Sequence, residues 1–184
     1  MKQTLIVLSS IVVLGLACGR FEDATDGVPT QGYYYDEVWD MCFAYKYNKS
    51  EAVIYDQFLN HTTRTACEDR CRPMDNGPCF GPYNTTDSGS CSWEEDNCSP
   101  GHICMTGAFF RTCCVAENDR MAEEARNETC LNGGKAAGEV HFYDNGNYRF
   151  FVPNLGKTCD DLLCGEGKIC EQVNKYFARC CEGA

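Results

Sequence analysis

Residues 33–42 read YYYDEVWDMC, three tyrosines and an aspartate followed, five residues later, by Cys42. Tyrosine, valine and tryptophan fit a pleated, half-buried surface, so the stretch predicts a β-strand with a cysteine behind it. The chain continues as CFAYKY, with aromatic residues again at Tyr45 and Tyr47, and further on as Cys67-Glu-Asp-Arg-Cys71. Upstream, Cys18 lies fifteen residues before Tyr33 and abuts the apolar run TLIVLSSIVVLGLA, Thr4 to Ala17. With Lys2 before that run and small residues at Gly15 and Ala17, residues 1–17 predict a secretory signal peptide. The run is shorter than the roughly 20 residues of a membrane helix, and no later segment is apolar enough to span a bilayer.

Sixteen cysteines in 184 residues mark a disulfide scaffold in an oxidising, extracellular compartment. Five Asn-x-Ser/Thr sequons, at Asn48, Asn60, Asn84, Asn97 and Asn127, point the same way and predict a glycoprotein. Without residues 1–17 the chain has 15 Lys+Arg against 27 Asp+Glu, a net of −12. That charge argues against nucleic acid or an anionic membrane as partner. It leaves basic proteins, Ca²⁺ or mineral open, and its plainest role is solubility.

The cysteines fall into three groups. The first ends at Cys71 and is followed by a connector, residues 72–78, RPMDNGP, with Pro and Asn-Gly punctuation. The second, residues 79–114, holds Cys79, Cys91, Cys98, Cys104, Cys113 and Cys114. Residues 115–129, rich in Ala, Glu and Arg, predict a short exposed helix or a solvated linker. The third group, residues 130–181, holds Cys130, Cys159, Cys164, Cys170, Cys180 and Cys181.

The last two groups repeat each other. CSPGHICMTGAFFRTCC (98–114) and CGEGKICEQVNKYFARCC (164–181) share Cys-x2-Gly-x-Ile-Cys, an aromatic-Phe pair, and a double cysteine two residues beyond. Agreement at Gly101/Gly167, Ile103/Ile169 and Phe110/Phe177 as well as at the cysteines signals a duplication. Six cysteines per unit allow three bridges and fifteen pairings, with adjacent cysteines joined to different partners. These units resemble the lustrin-type cysteine-rich repeats of secreted invertebrate proteins. An insertion between Cys130 and Cys159 carries EVHFYDNGNYRFF, where Asn145-Gly146 between two aromatic runs predicts a hairpin with Tyr143 opposite Tyr148. Its rings are expected either to cover disulfides or to form a contact surface over residues 140–152.

Residues 18–71 resemble a Kunitz-type, pancreatic trypsin inhibitor-like domain. The resemblance rests on YYYD, the five-residue step to Cys42, the aromatic return strand, and the closing Cys-x3-Cys. The family's first cysteine lies some fifteen or sixteen residues before the aromatic triplet. Cys18 meets that spacing, so cleavage is expected after Ala17; cleavage after Gly19 would strand one cysteine. The resemblance implies a β-hairpin followed by a terminal helix, with bridges Cys18–Cys71 and Cys42–Cys67. The family's third bridge, which tethers its protease-binding loop, has no counterpart: its cysteines would fall at Asp26 or Gly27 and near Ser50. The segment corresponding to that loop, Asp26, Gly27, Val28 and Pro29, offers Gly27 or Val28 at the key position, neither able to pair with the acidic pocket of a trypsin-like protease. Val28 would suit an elastase-like pocket.

Sequence signals of catalysis are lacking. The three histidines, His61, His102 and His141, are expected as exposed loop residues, and no metal-ligand, phosphate-loop or nucleophile motif occurs. The acidic steps Trp93 to Asp96 and Cys159 to Asp161 lack the alternating spacing of a Ca²⁺ loop. The expected fold is therefore small, disulfide-rich and multi-module: a Kunitz-like α+β unit followed by two small hairpin-and-loop cysteine-rich repeats. The expected function is non-enzymatic binding of an extracellular protein by a secreted chain of Kunitz inhibitor descent. A serine protease is a candidate partner, and no cofactor, metal or nucleic acid is called for. The alternative is a structural matrix protein without inhibitory activity.

Overall fold

A computed structural model describes residues 18–20, 25–49, 61, 63–74, 77–83, 87–92, 97–107, 109–143 and 148–183. The predicted signal peptide, sequons Asn60 and Asn84, the acidic step at 93–96 and the turn at Asn145-Gly146 lie outside them. The described chain is mostly β-sheet with two α-helices, and all sixteen cysteines are paired in eight disulfides. No described helix is long and apolar enough to cross a membrane.

The opening stretch forms the first hairpin. Strand β1 (Val28–Asp36) pairs antiparallel with β2 (Met41–Lys49), from Val28 opposite Lys49 to Asp36 opposite Met41. At the turn the Asp36 carboxylate accepts the Trp39 amide at 3.0 Å, and Asp40 takes a left-handed φ of 49°. Aspartate tolerates that conformation because its short polar side chain bonds locally. Helix α1 (Arg64–Cys71) follows, with Thr63 as N-cap accepting the Ala66 amide at 3.1 Å. Cys18–Cys71 and Cys42–Cys67 fasten hairpin and helix together.

Strand β2 is buried on both faces, which explains its density of aromatics. On one face Met41, Phe43, Tyr45 and Tyr47 join Tyr34 and Trp39 in a core with Met121, Ala122, Ala125, Leu155 and Phe177. On the other, Cys42 and Ala44 join Tyr33, Cys67, Leu162, Ala178 and Cys180. The first and third cysteine groups thus share their cores. The segment at 115–129 is not simply a solvated connector: α2 (Ala116–Arg126) buries Asn118, Met121, Ala122 and Ala125, an i, i+3, i+4, i+7 stripe.

The duplication extends to topology. In the second group β3 (Asp87–Ser90), β4 (His102–Thr106) and β5 (Arg111–Val115) form a sheet ordered β3-β5-β4. In the third, β8 (Leu155–Gly156), β9 (Lys168–Asn174) and β10 (Phe177–Glu182) are ordered β8-β10-β9. Both groups bond their first cysteine to the sixth, second to fourth and third to fifth: Cys79–Cys114, Cys91–Cys104 and Cys98–Cys113, then Cys130–Cys181, Cys159–Cys170 and Cys164–Cys180. Gly101 and Gly167 both have positive φ, 85° and 74°, which favours glycine at each. The insertion in the third group forms a separate ribbon, β6 (Gly138–Tyr143) with β7 (Tyr148–Pro153), in which Tyr143 pairs with Tyr148.

Polar contacts lock the shared core. Arg179, 2% exposed, donates to Glu171 at 2.8 and 2.9 Å and to the carbonyls of Asn127 (2.5 Å) and Thr129 (3.0 Å) just beyond α2. The Tyr33 hydroxyl donates to Asn154 at 2.6 Å, Arg64 to the Pro153 carbonyl at 2.6 Å, and Lys157 pairs with Asp36 at 2.5 Å. Burial opposes the Lys157 charge, yet the bond to Asp36 holds its ammonium above the ordinary lysine range.

Candidate contact surfaces

Residues 26–29 lie where the first hairpin begins. Asp26, Val28 and Pro29 are exposed, but Val28 and Pro29 already belong to β1, opposite Lys49 and Asn48. Gly27 is pressed against the facing strand: a Cβ there would sit 2.6 Å from the Asn48 carbonyl carbon and 2.8 Å from that of Lys49. These neighbours are backbone, so position 27 accepts no side chain unless the hairpin end moves. Val28, 58% exposed, is the apolar side chain the segment presents. Just downstream, Gln31 ties the strand to the third group: its amide donates to the carbonyls of Tyr45 (2.8 Å) and Asp161 (3.2 Å) and accepts the Leu163 amide at 2.8 Å.

The ribbon is the second candidate surface. Its register places Val140 opposite Phe151 and Phe142 opposite Arg149 on one face, and His141 opposite Phe150 on the other. Phe142 is 62% and Val140 43% exposed, so these side chains face solvent and do not cover disulfides. At its base the first of these faces borders a cavity of about 360 Å³ whose lining includes Val140, Phe151, Lys135, Arg149, Lys168 and Glu128. Arg149 donates to Glu128 at 2.7 Å, and that bond holds the carboxyl below its ordinary range.

The histidines do not converge, and none of the three is the exposed loop residue expected. His61 is buried at 2% exposure, with Nε2 3.3 Å from the Cys71 sulfur, because the chain entering α1 runs against the Cys18–Cys71 bridge. His102 lies in β4 and is partly buried, and the His141 ring stacks on Phe150 at 5.1 Å. Where cysteines cluster with His61, Glu171 or other cysteines, two of the sulfurs in each cluster are bonded to each other. A disulfide sulfur has no thiolate to offer a metal. Of the sequons described, Asn97 and Asn127 are exposed and Asn48 is partly buried.

Sequence reasoning did not single out a further exposed pair. Phe109 and Phe110, at the β4–β5 turn, are 89% and 56% exposed. The repeat alignment holds their signal, since they correspond to Tyr176 and Phe177.

The chain has a recognisable relative. It is 28% identical over 160 residues to "Major allergen Ani s 1" of Anisakis simplex, an alignment taking in 84% of this chain and 77% of that protein. No family model matches the chain, and no solved structure matches it.

Proposed function

We propose that this chain is a secreted binding protein of Kunitz inhibitor descent, engaging an extracellular protein by surface contact without catalysis. The observation that carries the reading is the hairpin-plus-helix unit of residues 18–71, cross-linked by Cys18–Cys71 and Cys42–Cys67. A rigid scaffold limits the entropic cost of binding, and a scaffold outlives its site. Here the site has changed: position 27 is closed by the facing strand, and the exposed side chain is Val28. Trypsin-like proteases, whose pocket needs a basic residue, are outside its range. A pocket that takes a small aliphatic side chain is within it.

The shared cores of the first and third groups favour this reading over a matrix spacer, because beads in a spacer do not need a common interior. The test is inhibition of elastase and chymotrypsin by the oxidised full-length protein, with Val28→Asp as control. Elastase inhibition lost on that substitution assigns the contact to Val28. Silence against both enzymes removes proteases from the candidate partners and leaves non-protease extracellular proteins.

A further inference from the structure

The chain is acidic, yet the cavity at the base of the β6–β7 ribbon is cationic. Its lining sets Lys135, Arg149 and Lys168 against Glu128 and Glu182, three cations against two carboxylates in a chain of net −11. Arg149 is neutralised by Glu128 at 2.7 Å. Glu182 stands opposite Lys168 in the β9–β10 register, but no ion pair joins them. Among the described residues neither Lys135 nor Lys168 has an ion-pair partner.

The rest of the wall is apolar, supplied by Ala136, Ala137, Val140 and Phe151. The Phe151 ring reaches the cavity by lying across Gly138. A Cβ at that glycine would sit 2.5 Å from the ring's Cζ and would also strike the Val152 carbonyl oxygen, so a side chain there would push the ring away. The backbone of the wall is already paired: the Ala136 amide donates to the Glu128 carbonyl at 2.8 Å, the Ala137 amide to that of Cys180 at 2.8 Å, and the Lys135 carbonyl accepts the Glu182 amide at 2.9 Å. A peptide laid there would find these main-chain groups taken, which leaves recognition to a surplus positive charge beside an apolar wall.

We propose that this cavity binds an amphipathic monoanion, a medium-chain alkyl carboxylate, with its head group on Lys135 and Lys168 and its chain along Val140 and Phe151. A volume of about 360 Å³ lies at the small end of ligand cavities, which limits the length of the tail. A ligand of so few atoms belongs in the affinity range of about 10 µM to 1 mM. The site is independent of residues 26–29 and of any protease contact there.

Isothermal titration calorimetry of the oxidised full-length protein with octanoate tests it. Binding should saturate at one ligand per chain, and in a parallel nuclear magnetic resonance titration the amides of Lys135–Gly138 should shift. Decanoate should bind more tightly, because its added methylenes leave water. Octan-1-ol, which lacks the charge, should bind at least about fivefold more weakly than octanoate. Lys135→Gln/Lys168→Gln should weaken octanoate at least about fivefold and leave octan-1-ol within about twofold. Val140→Asp, which sets a carboxylate in the apolar wall, should weaken both. Lys135, Lys168 and Val140 are exposed, so near-UV circular dichroism of these variants should remain that of the parent. No saturable binding of octanoate up to about 10 mM overturns the proposal. So does octan-1-ol binding as tightly as octanoate, or a lysine variant that binds octanoate like the parent. Acetate or inorganic phosphate matching octanoate also overturns it, by making the cavity a site for small ions without an apolar tail.

Discussion

The duplication permits a paired perturbation in which sequence context is nearly constant and burial is not. Phe177→Ala and Phe110→Ala remove the same ring from the same position of the two repeats, one fully buried against Trp39 and Phe43, the other 56% exposed. A buried phenylalanine removes about 150–250 Å² from water, and at about 25 cal/mol per Å² that sets a ceiling of roughly 4–6 kcal/mol. Residual compactness of the unfolded chain lowers it, and measured Phe→Ala changes in cores fall at about 3–5 kcal/mol. Phe110→Ala, at a solvated turn, should stay within about 0.5 kcal/mol. For a chain of this length the first loss lowers Tm by roughly 6–20 °C and the second by about 2 °C at most. Urea unfolding under non-reducing conditions, followed by far-UV circular dichroism, gives both values. Equal costs at the two positions, or less than about 1 kcal/mol for Phe177→Ala, would refute the shared core of the first and third units.

Arg179→Met leaves Glu171, the partner of a nearly buried pair, without its counter-charge and exposes the chain end of α2, so unfolding should become easier by about 3–5 kcal/mol; a loss below about 1 kcal/mol in the same urea assay would contradict it. Burial raises the Tyr33 phenol above its ordinary 10.0. A folded pKa above the unfolded one gives stability that is complete below pH 10 and lost as pH rises through the folded value. Thermal unfolding monitored from pH 8 to 12 should therefore show a loss above about pH 10 that Tyr33→Phe reduces; an unchanged slope in that variant would count against it. Gly27→Arg supplies the basic residue that a trypsin pocket needs, yet the Asn48–Lys49 backbone occupies its place. It should lower Tm without creating trypsin inhibition, and a tight trypsin inhibitor would show that the hairpin end opens readily.

The elements legible in the sequence are those governed by local chemistry. YYYDEVWDMC reads as a strand with a cysteine behind it, whereas the structure makes it the end of β1, a turn and the start of β2, the hairpin that the family resemblance implied; the aromatic runs around Asn145-Gly146 predict the ribbon, because alternation and turn residues act over short distances. Cys18–Cys71 and Cys42–Cys67 came from the resemblance to a family, and the structure forms both. The repeat bridges did not follow from spacing, since fifteen pairings are possible per unit; the sheets set the fourth cysteine opposite the fifth, Cys104 opposite Cys113 and Cys170 opposite Cys180, and segments outside the strands bring the second cysteine to the fourth and the third to the fifth. Burial of α2 against the first hairpin was hidden for another reason. Met121, Ala122 and Ala125 form a short stripe in an otherwise charged segment, and their partners lie on strands far away in sequence. At residues 26–29 composition revealed the missing basic residue, whereas closure of position 27 depends on the backbone of Asn48 and Lys49 across the hairpin. His61 looked exposed within its sequon and is buried against the Cys18–Cys71 bridge, a contact made only once the helix is fastened to the N-terminal segment.

The central proposal is that a hairpin-plus-helix unit resembling a Kunitz inhibitor serves binding without fitting trypsin-like pockets. The most direct measurement is a titration of active trypsin with the purified, fully oxidised protein. The account predicts full residual trypsin activity at micromolar protein. Stoichiometric inhibition would contradict it and would mean that the closed end of the first hairpin opens to receive the protease.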